Sequence, residues 1–136
     1  YAFGVGEVPI SVSGTGGTRL DQPLRAVGAV TRALQHTLPG AVVGVRGPFR
    51  SGWHLPDRPG RDLVLVAGGI GLAPPRPAPS EALPRRSHFR SVTLIVGARR
   101  PDDLLYPGSV ADWSAGGARV EVTVDRPADG WTGRGS

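Results

Sequence analysis

Val64-Leu65-Val66-Ala67-Gly68-Gly69-Ile70-Gly71-Leu72-Ala73-Pro74 is the stretch that decides the fold. An apolar segment runs directly into clustered glycines and then an apolar–proline step. Physically this reads as a buried strand, a tight turn and the start of a helix or helical turn. Glycines let the backbone come close to a ligand, and the free amides of a helix N-terminus attract phosphate. The stretch is therefore expected to hold the pyrophosphate of a dinucleotide. The competing reading is an ordinary glycine-rich strand-to-helix turn, because an isolated Gly motif is a weak signal.

Downstream the pattern is regular. Residues 63–66, 92–96 and 119–124 are expected to be strands. Pro101-Asp102-Asp103-Leu104-Leu105-Tyr106 is expected to open a helix, its acidic residues favoured by the helix dipole. Val110-Ala111-Asp112-Trp113 would continue that helix beyond a kink at Pro107-Gly108. Strand, crossover, strand, crossover, strand predicts a parallel α/β sheet with right-handed connections. The first crossover conflicts with this scheme. It carries Pro74, Pro75, Pro77, Pro79 and Pro84, and an interior proline breaks a helix at a cost of roughly 3 kcal/mol or more. Residues 80–90 are accordingly expected to be a short helix or irregular coil.

Upstream, residues 8–13, 24–27 and 41–45 are expected to be strands, with 14–17 a loop. Gly28-Ala29-Val30-Thr31-Arg32-Ala33-Leu34-Gln35-His36 reads as a helix ended by Leu38-Pro39-Gly40. The segment from Gly47 to Trp53 is expected to be a glycine-rich turn, with Phe49 and Trp53 packing residues. Asp57-Arg58-Pro59-Gly60 is expected to link two folding units.

At 136 residues, with 39% hydrophobic residues, the chain suits one average globular domain or parts of two. No apolar run approaches the roughly 20 residues that span a bilayer, and no charged-then-apolar leader is visible. The net charge is +5, and all 16 basic residues are arginine. They are scattered rather than set in a stripe with interleaved aromatics, which argues against nucleic-acid binding. The absence of cysteine excludes disulfides, zinc ribbons and a cysteine-ligated iron–sulfur cluster within this stretch. His36, His54 and His88 show no ligand spacing, so no metal site is expected. The chain has no methionine and opens mid-pattern at Tyr1, so it is expected to be a fragment, or a truncated or processed chain.

Several motifs occur in order along nearly the whole chain. They are residues 4–13 (GVGEVPISVS), Gly28-Ala29-Val30-Thr31, Val43-Gly44-Val45-Arg46-Gly47-Pro48-Phe49, Ala67-Gly68-Gly69-Ile70-Gly71-Leu72-Ala73-Pro74, Gly97-Ala98-Arg99, Asp102-Asp103-Leu104-Leu105-Tyr106 and Val122-Thr123-Val124-Asp125. Together they resemble the ferredoxin–NADP reductase superfamily, in particular the flavin- and nicotinamide-binding subunits of sulfhydrogenase (gamma) and of anaerobic sulfite reductase. The resemblance implies the C-terminal part of an antiparallel FAD-binding β-barrel at 1–58. It implies a partial NAD(P)-binding α/β domain with a parallel sheet at 59–136. The chemistry implied is hydride transfer between nicotinamide C4 and flavin N5, followed by single-electron exchange with an iron–sulfur centre. A [2Fe-2S] cluster is expected in full-length relatives but not in this chain.

By the same resemblance, Ser11 lies near the flavin N5 and is the expected catalytic hydroxyl, with Pro9 and Ile10 placing backbone against the isoalloxazine. Val8 and Ile10 replace the arginine and tyrosine of the broader superfamily, which weakens the inference of FAD. Gly28, Ala29, Val30 and Thr31 are expected to hold the flavin pyrophosphate. Gly68, Gly69, Ile70, Gly71, Leu72, Ala73 and Pro74 are expected to hold NAD(P)H, together with Gly97, Ala98 and Arg99, and with Asp125 lining the nicotinamide site. Pro75 departs from the family pattern, which more usually has an apolar residue such as leucine there. An arginine at position 99 can accept a 2′-phosphate, but it accompanies either cofactor in the family. The expected function is a cytoplasmic oxidoreductase subunit that passes electrons from NAD(P)H through FAD to an iron–sulfur acceptor, working with other redox subunits. The alternatives are a non-catalytic nucleotide-binding domain and an arginine-rich interaction module.

Overall fold

The computed structural model describes residues 1–49 and 52–135. Arg50 and Ser51, inside the expected turn at 47–53, lie outside the described residues, as does Ser136. The chain divides into two compact units, Tyr1–Gly52 and Trp53–Ser136.

In the first unit, strands β1 (Gly14–Gly16) and β2 (Arg19–Asp21) form an antiparallel pair. Gly17, at φ +55°, takes the first central position of the connecting two-residue turn, where a hairpin of this kind favours glycine. The ribbon thus forms in the segment expected to be a loop. The stretches 8–13, 24–27 and 41–45 form no strand. Their β-branched residues favour extended backbone, but a strand exists only as part of a hydrogen-bonded ladder. Val42, Val43 and Val45 are 81%, 43% and 60% exposed, so no sheet surface covers them. Just before the ribbon, buried Ser13 donates both its amide (2.8 Å) and its hydroxyl (3.1 Å) to the Asp21 carbonyl.

Helix α1 (Ala29–Gln35) lies where its sequence predicts. Gly28 is its N-cap, and Thr31 reaches back from the third helical position to accept the Gly28 amide at 2.9 Å and the Val27 amide at 3.1 Å. This satisfies amides that the helix itself leaves without partners. On the surface of this unit, Arg46 forms an ion pair with Glu7 through both Nε (2.9 Å) and Nη2.

The second unit is a parallel α/β sheet in strand order β3-β4-β5-β6, made of Arg61–Gly68, Phe89–Ala98, Arg119–Val124 and Arg134–Gly135. The register aligns Leu63 with Val92, Leu65 with Leu94 and Leu94 with Val120. One face therefore carries Leu63, Val92, Leu94, Val96 and Val124, all buried. Helices α2 (Pro77–Ala82) and α3 (Pro107–Ala115) contribute Ala82 and Trp113 to this core. The opposite face leaves Val64, Val66 and Ile95 exposed.

The prolines of the first crossover are accommodated by position. Pro77 and Pro79 occupy the first turn of α2, where a backbone N–H has no helical acceptor to lose. Pro84 falls after α2 has ended, inside a 3₁₀ segment at Leu83–His88. The expected helix at Pro101 is instead a 3₁₀ turn over Pro101–Asp103. The helix proper starts at Pro107, at its favoured first position. Between the two, Tyr106 adopts a left-handed conformation (φ +54°) with the Arg76 guanidinium 4.2 Å from its ring centre.

Candidate functional site

The glycine turn lies at the carboxyl end of the parallel sheet, the place where open α/β sheets bind ligands. Strand β3 ends at Gly68, and Gly69–Leu72 forms a 3₁₀ turn. Gly69 has φ +51°, a left-handed geometry that side-chain-bearing residues resist. Gly68 and Gly71 are exposed, and a β-carbon placed on Gly71 would meet nothing within 4 Å. The turn is thus neither collapsed nor blocked by side chains. The leading amides of such a turn have no carbonyl of the turn itself to bond.

Leu72 and Ala73 are 3% and 2% exposed. They anchor the turn in the core and can reach a ligand only through their backbone. Pro75 is buried beneath them, with Leu65, Leu94 and Trp113 nearby around a cavity of about 10 Å³. The departure from the family pattern at Pro75 is therefore met by packing under the turn.

The register brings the second group of expected residues alongside the first. Gly97 is the direct partner of Gly68 on β3 and of Thr123 on β5. Past the strand ends the ladder continues: the Asp125 amide donates to the Ala98 carbonyl at 3.1 Å, and the Arg126 amide donates to the Arg99 carbonyl at 2.9 Å. Gly68, Gly97, Arg99 and Asp125 thus share one sheet edge. Arg99 and Asp125 are exposed, whereas Ala98 is buried, so Ala98 contributes backbone alone.

The remaining expected residues belong to the first unit. Pro9 and Ser11 are exposed, and Ile10 is half-buried with its carbonyl accepting from Gln22 Nε2 at 3.2 Å. Thr31 is 7% exposed, and its hydroxyl also donates to the Gly28 carbonyl at 3.1 Å. That hydroxyl is thereby committed to the helix start. Among the described residues no group of three or more His, Asp and Glu is placed to hold a metal.

Two aromatic residues differ from the packing role expected of them. Phe49 is 73% exposed, with the Arg46 guanidinium 4.9 Å from its ring centre. Trp53 is 54% exposed, and its indole Nε1 donates to the Pro74 carbonyl at 2.8 Å. No local pattern signals this second contact, because the two residues lie far apart along the chain.

Comparison with known proteins agrees with this geometry. The chain is 37% identical to the sulfhydrogenase 1 subunit gamma of Pyrococcus furiosus over 76% of its own length and 36% of that protein's. It is 33% identical to a protein of Methanothermobacter thermautotrophicus named as a probable dihydroorotate dehydrogenase B (NAD(+)) electron transfer subunit, over 93% of this chain and 45% of that one. The chain thus spans less than half the length of these relatives. Among solved structures, the Amycolatopsis cytochrome P450 reductase GcoB superposes with a TM-score of 0.69 at 30% identity, covering 93% of this chain and 40% of that one. Residues 65–136, which contain the glycine turn and the rest of the sheet edge, match the model of the oxidoreductase NAD-binding domain. With its parallel sheet and ferredoxin reductase-like fold, the chain belongs to the oxidoreductase NAD-binding domain family.

Proposed function

We propose that this chain is part of an electron-transfer oxidoreductase subunit that takes electrons from NAD(P)H and passes them through FAD to an iron–sulfur acceptor on a partner redox subunit in the cytoplasm. The observation that carries the reading is the open glycine turn at the carboxyl edge of the parallel sheet, where Gly71 faces empty space. Open space there leaves a pyrophosphate room to approach, and the leading amides of such a turn are the donors that a phosphate needs. The nicotinamide and flavin would supply hydride chemistry, while the protein binds and orients them.

The chain's own residues divide the work. Gly68, Gly69, Ile70 and Gly71 would hold the pyrophosphate through backbone, with Leu72, Ala73 and Pro74 fixing the turn from below. Gly97 and Ala98 would form the bare floor beside it, Arg99 would meet the adenosine ribose and Asp125 the nicotinamide side. In the stretch 1–58, Pro9, Ile10 and Ser11 would face the flavin ring, and Gly28, Ala29, Val30 and Thr31 its diphosphate. The relatives' names, a sulfhydrogenase gamma subunit and an electron transfer subunit, support a role beside other redox subunits.

The test is a titration of the purified chain with FAD and then with NADH and NADPH under anaerobic conditions. Bleaching of the flavin absorbance by either nucleotide is the expected result. Nucleotide binding without flavin binding would leave the second reading, a non-catalytic nucleotide-binding domain. One observation favours that reading: among the described residues the first unit holds a single antiparallel strand pair. Failure to bind either nucleotide would overturn both.

A further inference from the structure

We infer that Trp53 is a positioning residue for the dinucleotide turn: its indole N–H, 2.8 Å from the Pro74 carbonyl, holds the segment from Gly68 to Pro74 in its receptive shape. The inference rests on reading that turn as the NAD(P)H site. The reason the turn needs an outside donor lies in its prolines. A carbonyl in a helical turn is answered by the N–H three or four residues later. For Pro74 those positions are Pro77, which has no N–H, and Ala78, whose N–H donates to Pro75 at 2.9 Å. The preceding amide, that of Arg76, donates to Leu72 at 3.1 Å. The proline-rich turn therefore leaves the Pro74 carbonyl without a local backbone partner, and the Trp53 indole supplies one.

The side chain is suited to this. Indole nitrogen is a donor only, so it cannot accept from the turn's amides and leaves them to an incoming phosphate, its own N–H being spent on the Pro74 carbonyl. At 54% exposure the Trp53 ring is not a core residue whose hydrogen bond follows from packing. Leu72 and Ala73 pin the turn from below, and Trp53 pins its far end from the side, leaving Gly68 and Gly71 open. A turn that holds the competent shape for only part of the time binds its ligand more weakly in that proportion. Loss of one such hydrogen bond should weaken nucleotide binding about threefold to tenfold.

The experiment uses the whole chain with two replacements: Trp53→Phe, and substitution of the indole by benzothiophene, which keeps the ring shape but has no N–H. Hydrogen exchange of the Ala73 and Arg76 amides is measured without ligand, and dissociation constants are measured for NADH and NADPH. In both variants these amides should exchange about threefold to tenfold faster, and the dissociation constants should rise by a similar factor. Unchanged exchange and affinity in the benzothiophene variant would overturn the inference. So would weakened binding in Trp53→Phe alone, which would assign the effect to ring surface. Faster exchange in both variants, with no nucleotide bound even by the unaltered chain, would keep the tether and remove the proposed function.

Discussion

Gly68 and Gly97 stand opposite one another on β3 and β4, and a β-carbon added to Gly68 would meet the Gly97 carbonyl at 3.8 Å. Two neighbouring strands thus bring bare backbone together at or one residue before their ends, directly beside the turn that carries Gly69 and Gly71. The glycines do different physical work, and substitution can separate their roles.

Gly71→Ala should fold normally, because its β-carbon has open space and its backbone is not left-handed. Thermal unfolding should shift by no more than the equivalent of about 0.5 kcal/mol. NADH binding should weaken about tenfold if that space belongs to the pyrophosphate, the equivalent of about 1.4 kcal/mol. Gly69→Ala should lose stability as well, by about 1–2 kcal/mol, because φ is +51° there. Equal affinity in Gly71→Ala and the unaltered chain would place the ligand elsewhere.

Arg99 is exposed at the sheet edge, with its carbonyl engaged by the Arg126 amide. If its guanidinium receives a 2′-phosphate, Arg99→Glu should weaken NADPH binding by about tenfold or more and NADH binding much less. Equal losses for the two nucleotides would assign Arg99 to a part of the cofactor common to both. Parallel calorimetric titrations make the comparison.

Thr31→Val keeps the shape of the side chain but removes the hydroxyl that joins Gly28 and Val27 to the helix start. Its cost should be about 1–2 kcal/mol, as for loss of a helix cap. Chemical denaturation followed by the helical signal of the first unit is the measurement. A cost near zero would show that water replaces the hydroxyl.

The Glu7–Arg46 pair gives a pH prediction with a definite sign. The charge-assisted hydrogen bond from Arg46 holds the Glu7 carboxyl below its ordinary 4.5. A lowered carboxylate stabilises the fold above its unfolded pKa and ceases to do so as pH falls through the folded value. The pair is solvent-exposed, so salt and water screen it. Glu7→Gln should therefore barely change the melting temperature at pH 7 and should flatten what slope exists on the acid side of 4.5. A large loss at pH 7 would mean that the pair organises the chain around it.

The second unit was the legible part of the sequence. Leu63–Val66, Val92–Val96 and Arg119–Val124 all fall within observed strands; the first two are apolar or β-branched runs, and the third sets a valine at every second position. The glycine turn was equally readable as a turn, since clustered glycines end the apolar run and one of them, Gly69, takes φ +51°. In the first unit only helix α1 was legible: the same β-branched preference at 41–45 leads to exposed, unladdered backbone. Propensity describes a residue's own dihedral angles, whereas a strand also needs a neighbour. The short ribbon was hidden for the converse reason, as Gly14-Thr15-Gly16-Gly17 carries almost no apolar signal. The start of α3 was misread because Pro107 looks like a kink until one sees Tyr106 turning the chain into it. The Trp53–Pro74 contact depends on tertiary approach, which no local pattern records.

The side of the sheet that shows Val64, Val66 and Ile95 to water has a practical consequence. Parallel sheets ordinarily have both sides shielded, and an oily strip of this kind adheres to whatever greasy surface it meets. Dilute samples, a mild detergent and a check for environment-sensitive dye uptake should therefore precede any affinity measurement on the isolated chain.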